Sequence, residues 1–171
     1  MLVAEDPGAV LTAALTAVGE SVGALYAAGA RRFVIWNAPD LGRIPALRRL
    51  DALVCGPTLP GCVANGATGA SAFYNQQLQD VLQGLRAALP GIAIVQFDAF
   101  QLLADVQGNP RRYGLGDATE ACIRPNVALL FRCAQPDRHF FWDGIHPTRA
   151  GHAIIAFLVG KTLVTAVLQD D

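Results

Sequence analysis

At 171 residues the chain is long enough to bury one sizeable core and short for two, so a single domain over residues 1–171 is expected. It is 53% hydrophobic and only 16% charged, which excludes a disordered, charge-rich segment. The net charge is −1, and no basic run exceeds pairs such as Arg31-Arg32 and Arg48-Arg49, so a nucleic-acid partner is excluded as well.

Residues 9–28 read as a helix, with Leu11, Ala14, Leu15, Val18, Val22 and Leu25 on one stripe and Gly29 as its stop. Phe33-Val34-Ile35-Trp36 then forms a continuous apolar run, the pattern of a strand buried on both faces. Asn37 to Gly42 is a loop at that strand's C-terminal end. Residues 51–70 carry Gly and Pro without periodicity and predict an irregular excursion.

A second helix is expected over about 72–89, with Phe73 or Tyr74, Leu78, Val81, Leu82, Leu85 and Leu89 inward, and Ser71 as its cap. Residues 92–97 predict a second buried strand, followed by a short helix around 99–106. Residues 107–138 read as irregular, Phe140 to Trp142 as a short extended piece. A last helix starts near Pro147 or Thr148, types favoured at a first turn or cap. Helix, buried strand, helix, buried strand, helix predicts an α/β sandwich with a parallel sheet. Two strands make an incomplete sheet.

No run of about 18 apolar residues without charge suits a membrane span. The nearest, 153–168, is interrupted by Lys161, and residues 1–7 lack the basic start and apolar stretch of a leader. The four cysteines show no Cys-x-x-Cys spacing and no nearby histidine, so a zinc site is not expected. They fall as two local couples, predicting Cys55–Cys62 and Cys122–Cys133 bridges in a secreted or periplasmic protein. Four reduced thiols in a cytosolic protein are the alternative.

Two patterns carry candidate chemistry. Gly19-Glu20-Ser21-Val22-Gly23 matches a nucleophile-elbow motif, but no strand precedes it and it lies within an amphipathic helix. Ser21 is therefore expected to be a helix-packing residue. In Trp142-Asp143-Gly144-Ile145-His146-Pro147-Thr148, an Asp and a His three apart before a helix can meet across one turn. A carboxylate on one imidazole nitrogen leaves the other as a general base. An Asp that merely caps the turn is the plain alternative. His139 and His152 lack any partner pattern, and a metal site from Asp143, His146 and His152 lacks ligand spacing.

This Trp-Asp-Gly-x-His-Pro-Thr block is similar to the last block of GDSL-type (SGNH) lipases and esterases. The resemblance runs on through Leu25 to Val34, Asn37-Ala38-Pro39-Asp40-Leu41-Gly42 with Pro45, and Tyr74-Asn75-x-x-Leu78. Asp98, Leu102, Asn109-Pro110, Tyr113-Gly114, Cys122 and Cys133 follow in order. It implies an SGNH-like three-layer α/β/α fold and hydrolysis of small-molecule or lipid carboxylic esters, without metal or organic cofactor. His146 would be the general base toward a serine and Asp143 its orienting partner, with Asn37, Pro39 and Asp40 bordering the substrate cleft. The chain holds no Gly-Asp-Ser and no Gly-x-Asn-Asp block, and its only serines are Ser21 and Ser71. The expectation is a C-terminal portion of the hydrolase domain that lacks its N-terminal strands. It would be catalytically incomplete alone, with an N-terminal half to be supplied by another chain. A non-catalytic remnant or interaction protein is the alternative.

Overall fold

The computed structural model describes residues 6–57, 59–124 and 131–169. Residues 125–130, part of the stretch expected to be irregular, lie outside them. Helix α1 (Pro7–Ala27) starts with Pro7 at its first position and the Asp6 carboxylate accepting from Gly8 N–H at 3.0 Å. Strand β1 (Arg32–Trp36) leads into a single 3-10 turn, Leu41–Arg43, then α2 (Pro45–Val54) and the long α3 (Cys62–Ala88). Strand β2 (Ala93–Phe97) and α4 (Ala99–Gly108) follow, then four short strands: β3 (Asp117–Ala121), β4 (Ile123–Arg124), β5 (Phe131–Arg132) and β6 (His139–Phe141). Helix α5 (Arg149–Gln169) closes the order.

The architecture is α/β, as the sequence implied. Strand β1 pairs in parallel with β2, in register from Arg32 opposite Ala93 to Trp36 opposite Phe97. One face of this pair carries Ile35 and Ile94, packed on α1 and α3 around Leu15, Leu78 and Leu82. Phe97 on the opposite face joins the larger core, built from Leu102, Leu103 and Val106 of α4, Phe140 and Phe141 of β6, and Ile154 and Ile155 of α5. Strands β3 and β6 form a second parallel pair; β4 and β5 pair antiparallel.

Several expectations need correction. Strand β1 is not buried on both faces: Val34 and Trp36 are 40% and 46% exposed. Helix α5 packs chiefly on β2, and the matching side of β1 is left partly exposed. Leu25 is likewise 54% exposed, because only Leu15 and Val22 of the α1 stripe become fully buried. The irregular excursion over 51–70 is largely helical, since α2 reaches Val54 and α3 begins at Cys62. The Asp51 carboxylate holds the N–H groups of Gly61, Val63 and Ala64 at 2.7, 2.8 and 3.1 Å, which starts α3 ten residues before the expected helix. Ser71 therefore lies inside α3, buried, where its hydroxyl accepts from Leu41 N–H. Phe73 points outward, 56% exposed.

Gly42 shows how closely the 3-10 turn approaches α3: a Cβ there would strike the Ala64 carbonyl and the Thr68 hydroxyl. Disulfides join Cys55 to Cys62 and Cys122 to Cys133. Among the described residues one helix, α1 over Gly8–Ala27, is long and apolar enough to cross a membrane by length and composition. That differs from the expectation, which singled out 153–168. In this fold α1 lays Leu15 and Val18 against Leu78 and Leu82 of α3.

Candidate functional site

The loop between β6 and α5 is fixed at both ends by backbone bonds. Trp142 N–H donates to the His146 carbonyl (2.8 Å) and Thr148 N–H to the Phe140 carbonyl (2.8 Å), so the chain doubles back on itself. The Thr148 hydroxyl donates to the His139 carbonyl (2.6 Å) and accepts from Gly151 N–H (3.0 Å), capping α5 as a threonine at that position can. Ala46 N–H, at the start of α2, donates to the Gly144 carbonyl (2.9 Å). A Cβ on Gly144 would stand 3.0 Å from the Ala46 methyl, so glycine lets this turn lie close against α2. From the other side Ile123 N–H donates to the Trp142 carbonyl (2.7 Å), next to the Cys122–Cys133 bridge. Four separate segments thus hold the seven-residue block in place.

Within it, one carboxylate oxygen of Asp143 accepts from Ile145 N–H (2.8 Å) and His146 N–H (2.7 Å). The second oxygen lies 2.8 Å from His146 Nδ1. Partial burial works to raise the Asp143 pKa. The backbone N–H groups of His146 and Ile145, and then the His146 ring, outweigh it and hold the carboxyl below its ordinary value. An ionised carboxylate only accepts hydrogen bonds, so Nδ1 carries the hydrogen, and in the neutral ring Nε2 presents its lone pair. The His146 side chain is 71% exposed. The arrangement is an oriented imidazole whose free nitrogen is accessible.

Beside it lies an apolar cavity of about 210 Å³ lined by both neighbours of His146, Ile145 and Pro147, together with Trp36, Pro39, Phe97 and Phe141. A larger groove of about 470 Å³ runs along β2, α4 and α5 past Asp98, Asp105 and Lys161, but includes neither Asp143 nor His146. The smaller cavity is the one next to the chemistry.

The other residues singled out by sequence separate clearly. Pro39 lines the cavity. Asn37 does not: its amide donates to Asp98 Oδ1 (2.9 Å) and accepts from Phe100 N–H (3.0 Å), tying the end of β1 to the start of α4. Asp40 is buried, 3% exposed, and holds Gly42 N–H, Arg43 Nε and the Thr68 hydroxyl. Neither polar side chain faces the cavity; both hold the loop together. Asn75, seen in the sequence only as part of a helix pattern, clamps the Ala38 backbone through both its amide groups.

His152 turns its Nδ1 to the Thr148 carbonyl and does not join Asp143 and His146. Asp51, Cys55 and Cys62 are the one group with metal-ligand spacing among the described residues, yet both sulfurs are in a disulfide. Ser21 is exposed on α1 and Ser71 buried in α3, and neither is hydrogen-bonded to His146. Sequence reasoning missed the aromatic lining; the Phe140-Phe141-Trp142 run beside the Asp143 turn was the available signal.

Residues 3–159 match the family described as GDSL-like Lipase/Acylhydrolase. Among curated relatives, GDSL esterase/lipase At5g55050 of Arabidopsis thaliana is 33% identical over 162 residues, 89% of this chain and 39% of that protein. GDSL esterase/lipase 7, from the same plant, is 33% identical over 140 residues, 77% of this chain and 37% of the relative. GDSL esterase/lipase EXL3, also from Arabidopsis thaliana, is 31% identical over 149 residues, 82% and 40% respectively. The chain spans about two fifths of the length of the curated relatives it matches.

Proposed function

The chain belongs to the GDSL-like lipase/acylhydrolase family, and from that premise we propose that it contributes the acid–base half of a carboxylic-ester hydrolase. The reaction is acyl transfer through a serine that this chain does not itself provide. The observation that carries the reading is the 2.8 Å contact between Asp143 and His146 Nδ1, with the rest of the ring open to solvent. As a serine hydroxyl attacks the ester carbonyl, His146 Nε2 takes its proton; the imidazolium, held by Asp143, then protonates the departing alkoxide. Water, deprotonated by the same nitrogen, then attacks the acyl carbonyl, and the imidazolium returns the proton to the departing serine oxygen as the acid is freed. Proton transfer by an oriented imidazole suffices for both halves, and no step draws on a metal or organic cofactor.

Ser21 and Ser71 do not serve as the nucleophile in this proposal. The Ser71 hydroxyl is buried on the Leu41 backbone, and Ser21 sits on an exposed helix without a strand before it. The serine comes from polypeptide beyond these residues. The exposed face of β1, with Val34 and Trp36 at 40% and 46%, supports a further packing layer there, since parallel sheets are normally covered on both faces. Two disulfides favour an oxidising compartment, outside the cell or in a periplasm.

The test is turnover of a short-chain p-nitrophenyl ester by this chain alone and with a serine-bearing N-terminal polypeptide from a relative. The proposal expects no turnover above background alone. It expects turnover in the mixture, lost on His146→Ala. Turnover by the chain alone, whether it survives or is lost on Ser21→Ala or Ser71→Ala, overturns it, as does turnover in the mixture indifferent to His146.

A further inference from the structure

We propose that the disulfide-closed corner between α2 and α3 docks the protein on an anionic lipid surface, its aliphatic side chains entering the membrane and its arginines meeting the headgroups. Such docking needs no nucleophile and goes beyond the ester-hydrolase reading above.

Helix α2 is apolar on one side along its whole length, but the core uses only the first half. Ala46 and Leu47 pack against the core, whereas Leu50, Leu53 and Val54 run on past it and are 42%, 80% and 66% exposed. Leu59, in the turn that follows, is 66% exposed. The Asp51 carboxylate draws Gly61 and Val63 back beside α2, and the Cys55–Cys62 bridge closes the loop, so Leu53, Val54 and Leu59 share one braced corner. Exposed large apolar side chains gathered in this way mark an interaction site. The corner stands clear of the sheet: Leu78, where α3 reaches the β1–β2 pair, lies roughly 24 Å along the helix from Cys62. Helix α5 also exposes Phe157, Val164 and Leu168, but on the side of the sheet where β1 is partly exposed, so further polypeptide accounts for that stripe.

Composition selects lipid as the occupant. From Ala52 to Gln79 the sequence carries no charged residue, so entry of the corner into an apolar phase strips water from no ion. Residues 52–62 hold no Trp or Tyr, the aromatic anchors of protein interfaces, where Leu and Val are under-represented. Arg48 and Arg49 stand roughly 7 Å behind Leu53 and Val54 along α2. Among the described residues neither guanidinium is hydrogen-bonded or ion-paired. An apolar tip that sinks about 5–10 Å into a bilayer surface sets both at the level of the headgroups, where a cation is attracted to anionic lipid. Asp51, the acid next to them, turns its carboxylate to the N–H groups that start α3. At the other end of α2, Ala46 N–H holds the Gly144 carbonyl, so a docked corner brings the Asp143 turn within a helix length of the lipid.

The experiment is co-sedimentation of the chain with vesicles of phosphatidylcholine and of an equal mixture of phosphatidylcholine and phosphatidylserine, alongside the fluorescence that Leu59→Trp adds to the native signal. Binding is expected to the mixed vesicles and should weaken as salt is added. Leu53→Asp, at an exposed position, should lower the partition coefficient about tenfold. Arg48→Gln should lower it about fivefold, on the mixed vesicles alone. Phe157→Asp should leave it unchanged, and the added emission should move to shorter wavelength on the mixed vesicles. Absence of binding, binding indifferent to Leu53→Asp, or binding lost on Phe157→Asp overturns the proposal. So does a shift of that emission produced without vesicles, either by raising the concentration of the chain or by adding the serine-bearing polypeptide, since the corner would then be covered by a second copy or by the missing half.

Discussion

Two turns in this molecule are built on the same plan and do different work. Each follows a strand, each centres on an aspartate, and each leads into a helical segment: Asp40 after β1 and Asp143 after β6. In both, a carboxylate oxygen accepts from the N–H two residues on, Gly42 in one and Ile145 in the other. Each turn also has a disulfide nearby. Cys55–Cys62 pins the start of α3, whose Thr68 reaches Asp40, and Cys122–Cys133 braces the strand whose Ile123 holds Trp142. The difference lies in the remaining capacity of the carboxylate. Asp40, itself buried, gives it to the Arg43 guanidinium and the Thr68 hydroxyl, partners that tie the loop to α3 and present no free titratable nitrogen. Asp143 gives it to an imidazole that has a second nitrogen facing outward. A turn becomes a site when its partner keeps a free, titratable atom.

The largest difference to look for is in catalysis. With a serine-bearing partner, His146→Ala is expected to lower ester turnover by about 10²–10⁴-fold, the usual contribution of a general base. Its thermal midpoint should stay within a degree or two, because the exposed ring supports nothing else. Asp40→Asn should show the opposite profile in paired assays of turnover and urea unfolding.

Next come the braces. Replacing Cys122 and Cys133 by Ser opens a loop of 12 residues and should cost roughly 3 kcal/mol in urea unfolding on the chain-entropy model. The same exchange at Cys55 and Cys62, a loop of 8, should cost roughly 2.5 kcal/mol. Only the first should also reduce turnover in the fraction that remains folded, since only that bridge adjoins the Asp143 turn.

Asp40→Ala removes a carboxylate from three donors, one of them a charged guanidinium, and should cost about 2–3 kcal/mol. Asp143→Asn, at a half-exposed position, should cost under about 1 kcal/mol. Equal costs at the two positions would break the comparison.

The smallest effect is in pH. The folded-state pKa of Asp143 is depressed, so its contribution is present above the unfolded carboxylate value of about 3.9 and disappears as pH falls through the folded one. The stability gap between the native chain and Asp143→Asn should therefore close as pH falls below the unfolded carboxylate value of about 3.9. The pKa of Asp51 is also depressed, chiefly by the Ala64 N–H. Asp51→Asn should flatten acid unfolding over the same range.

The sequence made the site more legible than its surroundings. Asp143 and His146 are three residues apart on one turn, so their meeting is a local event that spacing can reveal. Cys55 with Cys62 and Cys122 with Cys133 are local in the same sense. Asn37 and Asp40 were expected beside the cleft because the family resemblance and the C-terminal end of β1 both point there. Their partners, Asp98, Phe100 and Thr68, lie 28 to 63 residues away and hold both side chains off the cavity beside His146, Asp40 in the interior and Asn37 at the start of α4.

The first turns of α3 were hidden for a related reason. Asn65, Gly66 and Gly69 are poor helix formers, and it takes Asp51, from the preceding helix, to hold that N-terminus. Strand β3 (Asp117–Ala121) has weak β-propensity and exists by pairing with β6. The apolar runs of β1 and β2 did reveal the strands. They could not reveal that α5 would pack chiefly on β2 and leave one face of β1 partly exposed.

The account turns on the tautomer of His146. Long-range ¹H–¹⁵N correlation spectra of the ring, recorded at a pH where it is neutral, test that directly. The hydrogen should sit on Nδ1 with Nε2 unprotonated, and Asp143→Asn should give a mixture of the two forms. A native ring that carries its hydrogen mainly on Nε2 would contradict an imidazole oriented by Asp143 to act as a base.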